Sequence, residues 1–336
     1  MKVLLTGGAG FIGSAFVRLA LLEGWFDSLV NLDKLTYAGN LENLAPIEKH
    51  PGYTFVQGDI CAAEFVARLL EDVRPDAIVH FAAESHVDRS ILGPGAFFET
   101  NLRGTFTLLE AARAAGILRF VHVSTDEVYG SIEPPAEADE HFPLRPSSPY
   151  SASKAGSDLL ALSYFATYRL PVLVTRASNN YGPYQFPEKL IPLMISNAIE
   201  DKPLPIYGDG LQVRDWLYVE DHCRAIRAVL EQGDAGEIYN IGGSRSLPNR
   251  EVVERILAHL GKPKSLMRPV TDRPGHDRRY ALTSEKLERT TGWRAQVAFE
   301  DGIAQTIDWY QRNQEWTRRV KTGEYQSYYS RNYGER

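Results

Sequence analysis

The sequence predicts an α/β fold: a doubly wound, largely parallel sheet carrying a smaller α+β lobe. Three observations predict it. Short apolar, β-branched runs alternate with helical stretches from the N-terminus to about Val174, as in strand–helix–strand units laid into one sheet. The strand-like Lys2–Thr6 runs at once into Gly7-Gly8-Ala9-Gly10-Phe11-Ile12-Gly13, and a helical apolar face of Phe16, Val17, Leu19, Ala20, Leu21 and Leu22 follows up to Gly24. From Asn179 onward proline and tyrosine become frequent and the elements short, the texture of a second lobe. A chain of 336 residues can bury a proper core in one large or two modest domains. The expected division is a first domain over 1–178, with a returning segment at about 211–242, and a second lobe from the remainder of 179–336.

Taken in order, the first turn is the informative one. Gly7 permits a tight turn, Gly10 lets a pyrophosphate approach the backbone, and Gly13 lets helix and strand pack closely. The helix N-terminus then offers free N–H groups and a partial positive charge. A glycine trio alone is weak evidence. Here the next strand, Ser28–Leu32, ends at Asp33, about 20 residues on, where a ribose-binding acid belongs. The strand, turn, helix and acid together predict a Rossmann-type site for NAD, since the Asp33 charge would repel a 2′-phosphate; Lys34 is the one ambiguity. Tyr53–Gln57 leads to Gly58-Asp59-Ile60, whose carboxylate suits an adenine amino group; its blander use is to cap a helix over Ala62–Asp72, and both roles can coexist. Ala77–Phe81 leads to Ala82 and Ala83, small enough for a ligand to pass close, and then to Ser85 and His86. Ser85 reads as a contact and His86 as structural.

The next strand ends in Thr125-Asp126-Glu127, and one loop later comes Pro149-Tyr150-Ser151-Ala152-Ser153-Lys154. Tyr150 and Lys154, spaced i,i+4, share one face of a helix entered through Ser147-Ser148-Pro149. If the two pieces face each other, five proton-handling groups surround one small volume. Adjacent carboxyls in a low-dielectric site repel, so one tends to stay protonated near neutral pH. The bland alternative for Asp126 and Glu127 is a helix cap and first-turn acid.

Composition excludes several classes. A formal net charge of −6 argues against a broad nucleic-acid surface, though local arginines can still hold phosphates. Cys61 and Cys223 lie far apart and match no metal-ligand spacing, so neither metal nor disulfide is expected, and a reducing cytoplasm is the natural setting. No signal-peptide pattern and no membrane-spanning apolar run is evident.

Gly7-x-x-Gly10-x-x-Gly13 with Tyr150-x-x-x-Lys154 resembles the extended short-chain dehydrogenase/reductase family. Thr125-Asp126-Glu127 narrows the resemblance to its nucleoside-diphosphate-sugar 4,6-dehydratases, and within these to the dTDP-glucose branch. Agreement runs along nearly the whole chain, through Asp33–Asn40, Ala83–Ser90, Ser178–Gln185 and Asp272–Asp277. The departures are Ala177, where some relatives carry cysteine, and an acidic, short segment between Gly130 and Ser147.

The resemblance implies NAD as cofactor, held by Gly7, Gly10, Phe11, Ile12, Gly13, Asp33, Lys34, Leu35, Thr36, Asp59, Ile60, Phe81, Ala82, Ala83, Ser85, Thr100, Tyr150, Lys154 and Asn180. It implies that Tyr150 takes the C4 hydroxyl proton while Thr125 aligns the C4 oxygen. Glu127 would abstract the C5 proton and a protonated Asp126 would donate to the departing C6 oxygen. Tyr150 needs a depressed pKa for this, which Lys154 and the nicotinamide charge would supply. The substrate dTDP-glucose would meet Ser85, Thr125 and Asn179 at its sugar, with Lys189, Leu190, Pro205, Tyr207, Arg214, Asn249, Arg273 and His276 at the nucleoside diphosphate. Arginines suit a pyrophosphate, and Tyr207 offers a face for a base. Arg273 and Arg278 have a blander use as partners of Asp272 or Asp277, and Tyr207 could be core. A homodimer through Thr100–Ala115 and Ser151–Tyr168 is expected, and Tyr325, Tyr328, Tyr329 and Tyr333 would pack over the lobe, Tyr328 or Tyr329 within reach of ligand. A 4-epimerase would share the cofactor site and the Tyr–Lys pair without needing the carboxyl pair; a dinucleotide sensor would need neither.

Overall fold

The computed structural model describes residues 1–243 and 245–321, with Tyr325 and Tyr329. In chain order the first part runs β1 (Lys2–Thr6), α1 (Phe11–Leu22), β2 (Ser28–Asp33), β3 (Tyr53–Gln57), α2 (Ala63–Val73) and β4 (Ala77–His80). Helices α3 (Val87–Leu92) and α4 (Gly95–Phe97) follow, then a π-helical stretch Phe98–Gly104 that feeds α5 (Thr105–Ala115). Next come β5 (Arg119–Thr125), α6 (Pro149–Tyr168), β6 (Val172–Ala177) and β7 (Asn179–Tyr181). The remainder holds α7 (Leu190–Ile199), β8 (Leu204–Tyr207), β9 (Val213–Tyr218), α8 (Val219–Gln232), β10 (Ile238–Ile241), β11 (Arg245–Pro248) and α9 (Asn249–Leu260). It closes with β12 (Met267–Val270), α10 (Glu285–Thr291), α11 (Phe299–Arg312) and α12 (Gln314–Val320).

Seven strands form one sheet in the order β10-β6-β5-β4-β1-β2-β3, every neighbouring pair parallel. Strand alternation sorts the core onto its two faces. Val3, Leu5, Val79, Val121 and Leu173 pack with α1 and α8 on one face; Leu4, Ile78, Phe120, Val172 and Val174 pack with α2, α5 and α6 on the other. Order reverses at β1: β2 and β3 lie to one side, β4, β5 and β6 to the other. Ligands of such sheets bind where that reversal opens a crevice at the carboxyl ends of the strands.

The second lobe holds a three-stranded sheet β11-β9-β7 and the parallel pair β12-β8 over its own core of α7, α9, α11 and α12. The segment 211–242 does not return as a unit. Its β9 pairs in the small sheet, whereas α8 packs on α1 and β10 joins β6. Helix α10 also packs on the first domain's core through Leu287, because the chain crosses back after β12. Among the described residues no helix is long and apolar enough to cross a membrane.

Candidate active site

A cavity of about 300 Å³ follows the strand ends from β3 to β6. Its first wall is the glycine turn. Gly7 has φ +78°, and a Cβ there would strike the Ala82 backbone at 2.6 Å; a Cβ on Gly13 would sit 2.2 Å from the Gly7 carbonyl. A Cβ on Gly10 would meet only that carbonyl, at 3.4 Å, so the backbone before α1 lies open to the cavity. Asp33 ends β2 with its carboxylate accepting from the Ala9 and Leu35 N–H groups, both at 2.8 Å. Burial pushes its pKa up while those two bonds pull it down. The Lys34 ammonium, the one local cation that could favour a 2′-phosphate, pairs with Asp59 at 2.7 Å. Asp59 does not cap α2; it accepts from the Cys61 N–H at 2.9 Å in a turn ahead of the helix. The cradle therefore fits a dinucleotide: a glycine wall for phosphates at a helix N-terminus, and a carboxylate at the next strand end. All the expected cofactor residues line the cavity except Leu35, whose side chain packs on the core beneath and whose N–H is spent on Asp33.

At the far end β5 delivers Thr125, and α6 delivers Tyr150 and Lys154. Ser148 and Ser151 form a capping box with Pro149 at the first position, which starts α6 where the sequence predicts. The acids occupy a short 3₁₀ turn, Asp126–Tyr129, whose cap is Thr125: its hydroxyl accepts from the Glu127 N–H at 3.3 Å. The capping geometry and a chemical role thus coincide. Lys154, buried, donates to the Val123 carbonyl at 2.8 Å, and burial lowers its pKa to about 8. Beneath it Asp158 pairs with Arg176 at 2.9 Å, both fully buried. Tyr150 departs from expectation. Burial and the facing Glu127 raise its pKa, and only a Thr125 hydrogen bond opposes them appreciably. With its ammonium turned to Val123, Lys154 does not offset this.

The two carboxyls are distinguished by their neighbours. Asp126 is raised well above the ordinary range by burial, then by Glu127 and Asp215, with Arg214 and Thr125 opposing. Its Oδ2 has no partner. Glu127 is also raised by burial, but Arg273, Lys189 and Arg214 pull it back. Asp126 is the acid-like member of the pair and Glu127 the more readily ionised.

A second cavity, about 130 Å³, opens into the second lobe and shares Glu127, Asn179, Glu188 and Lys189 with the first. Leu190, Pro205, Tyr207, Arg214, Asn249, Arg273 and His276 all line it, as expected of the substrate set, while Ser85 and Thr125 line the first cavity. Arg273 pairs with neither Asp272 nor Asp277 but with Asp88 across the lobes, at 2.9 Å, and Tyr207 donates to the same carboxylate at 2.8 Å. Burial would raise Asp88; His86 and Arg273 outweigh it and hold the carboxyl well below the usual range. Asp272 instead takes His276 at 2.6 Å, and Arg278 takes Asp209. His86, read from sequence as structural, is buried against the Glu188 carbonyl and also lines this cavity. Sequence reasoning missed Asp88, Gln185, Glu188 and His222. Their polarity was visible, but the partners of Asp88, Glu188 and His222 lie 42 to 185 residues away in the chain, while Gln185 turns its amide to Asn180, five residues before it. Tyr325 donates to the Pro187 carbonyl and Tyr329 accepts from Asn197, so both pack on the lobe; Tyr328 and Tyr333 lie outside the described residues. Among the described residues no group of three His, Cys, Asp or Glu could hold a metal.

The family described as GDP-mannose 4,6 dehydratase matches residues 4–306. The dTDP-glucose 4,6-dehydratase 1 of Escherichia coli K12 is 53% identical, with 99% of each chain covered. The crystal structure of DesIV, a dTDP-glucose 4,6-dehydratase of Streptomyces venezuelae with NAD bound, is 56% identical and superposes with a TM-score of 0.93 over 96% of this chain and all of that one. A UDP-glucose 4-epimerase of Thermus thermophilus, also complexed with NAD, is 34% identical at TM-score 0.86, over 93% of this chain and all of that one. Backbone shape alone thus does not part dehydratase from epimerase, whereas identity above one half from end to end does: the chain belongs to the dTDP-glucose 4,6-dehydratase family.

Proposed function

We propose that the protein is an NAD-dependent 4,6-dehydratase that converts dTDP-glucose to dTDP-4-keto-6-deoxyglucose and water. The observation that carries this reading is the position of Asp126 and Glu127: a carboxyl pair beside Thr125 and Tyr150, Asp126 buried and Glu127 half-buried on the wall shared by the two cavities. A sugar at that junction has its nucleoside diphosphate among Arg214, Arg273 and Tyr207 and its ring beside the acids.

The chemistry needs that pair. The C5 hydrogen of a hexose is not acidic until C4 is a ketone; then it is α to a carbonyl and the C6 hydroxyl is a β-leaving group. NAD, when bound, supplies the reversible hydride acceptor that takes hydrogen from C4 and returns it at C6. The protein does the rest. Tyr150 takes the C4 hydroxyl proton, and Thr125 keeps the C4 oxygen aligned. Glu127 takes the C5 proton, and Asp126 gives its proton to the C6 oxygen, which leaves as water. Glu127 then returns a proton to C5. Tyr150 starts this sequence with a raised pKa, so its role as base requires the cationic charge that Lys154 and the cofactor bring close to it on binding.

Incubation with dTDP-glucose, with UDP-glucose and GDP-mannose alongside, tests the reading by NMR of the sugar product. A 4-keto-6-deoxy product from dTDP-glucose is expected; a C4 epimer, or unchanged sugar, overturns it. We also propose a homodimer in which α5 and α6 pair with their partner copies, since Phe106 and Leu159 stand about half exposed on those helices. The two free thiols suit a reducing cytoplasm.

A further inference from the structure

His222 of α8 takes no part in the steps above, yet it is completely buried and lines the first cavity. Its Nδ1 lies 2.9 Å from Asn180 Oδ1. The Asn180 amide is oriented by its own Nδ2, which donates to the Ser178 carbonyl at 2.9 Å, so Oδ1 is the acceptor and Nδ1 of His222 carries the proton. Burial keeps the imidazole neutral, its pKa pushed down to about 3. Nε2 is therefore a bare lone pair, and it has no partner. Gln185 repeats the pattern: its Nε2 donates to the Asn180 carbonyl at 2.9 Å, and its buried Oε1 meets nothing. Two unmet acceptors on one cavity wall hang from one asparagine, and groups so buried are ordinarily satisfied.

We propose that His222, with Gln185, recognises the carboxamide NH₂ of the bound dinucleotide. The inference rests on the NAD reading of the first cavity and assigns one end of it. Asn180 lies three residues beyond Ala177, which is in register with Thr125, so His222 sits at the β5–β6 side of the sheet. Asp33 and Asp59 lie on the opposite side of β1, past β2 and β3. The adenosine end belongs with those acids and the reacting end with Thr125, Tyr150 and His222. At that end the diphosphate offers only acceptors, whereas the carboxamide presents two N–H donors to two bare acceptors. His222 is thus a positioning residue: it orients the reacting ring through the carboxamide.

The test compares NAD with its 3-acetylpyridine analogue, whose methyl ketone keeps the carbonyl and lacks both N–H donors, by calorimetric titration of dinucleotide-free protein. The wild type is expected to prefer NAD by tenfold or more, on the order of one lost buried hydrogen bond. His222→Leu is expected to cut that preference severalfold while still binding the analogue, and His222→Leu with Gln185→Leu to bring it close to one. A wild type that binds both dinucleotides equally overturns the assignment without any variant, and so does a His222→Leu protein that keeps the wild-type preference. Failure of the wild type to bind any dinucleotide would overturn the cofactor reading as well.

Discussion

Replacing Asp126 by asparagine separates its chemistry from its shape. The carboxyl is buried and held protonated, so an amide of the same outline preserves its charge and removes only its transferable proton. Loss of a positioned general acid costs about 10²–10⁴ in rate, or about 2.7–5.4 kcal/mol at 1.36 kcal/mol per decade. That loss should fall on elimination alone. In D₂O, the variant given dTDP-glucose should still exchange the C5 hydrogen, because Glu127 is intact, yet form the deoxyketosugar at least 100-fold more slowly. Glu127→Gln should lose both. Stability supplies an independent check. The folded state holds the Asp126 proton above the ordinary value near 3.8, so as pH rises from there the folded protein binds more protons than the unfolded chain. Stability then falls by about 1.4 kcal/mol per pH unit until the folded carboxyl itself ionises. Asp126→Asn escapes this slope, so it should match the wild type in thermal melts near pH 4 and exceed it near pH 8. A variant that forms product at the wild-type rate, or is less stable than the wild type at pH 8, would refute the acid assignment.

Three other outcomes are expected. Lys154, lowered to about 8 by burial, keeps its ammonium below that pH and loses it above; calorimetric NAD affinity should fall on the alkaline side with a midpoint near pH 8, and Lys154→Met should abolish that limb. Arg176→Met should strand the Asp158 carboxylate, whose pKa is held down by His122 and Arg176 against burial, and cost roughly 3–5 kcal/mol in a urea melt; the loss should shrink in acid, as pH falls through the depressed folded value and Asp158 protonates. Phe106→Glu, placing a charge on the exposed face of α5, should shift sedimentation from dimer to monomer while dinucleotide binding persists.

How much of this was readable in the chain depended on the range of the forces involved. The β1–turn–α1 unit, the acid ending β2 and the capped start of α6 are made by neighbours within a few residues, and each appears where the sequence predicts. Thr125, Tyr150 and Lys154 also came together, because α6 covers β5, His122 hydrogen-bonding Ser157 at 3.1 Å. Leu35 lies off the cavity wall because a residue with φ +59° directs its side chain by backbone shape, not by polarity. The bland alternative for Arg273 named Asp272 and Asp277 because they are near in sequence, whereas Asp88 is near only once the lobes meet. The raised Tyr150 pKa in the cofactor-free site was not legible for a related reason: Lys154 is one turn away on the same helix, but the Val123 carbonyl on the next strand claims its ammonium.

The division of labour between Asp126 and Glu127 could not be read from their adjacency, because two neighbouring carboxyls on one turn are equivalent until something distant breaks the tie. Asp215 on β9 faces Asp126 with further negative charge, Lys189 and Arg273 stand toward Glu127, and Arg214 acts on both. Every one of those four groups belongs to the second half of the chain, beyond Asn179. The first domain thus supplies two acids of the same kind, both raised by burial, and charges of the second lobe raise one further and ease ionisation of the other. The cations proposed above for the substrate's diphosphate include the ones that ease ionisation of Glu127.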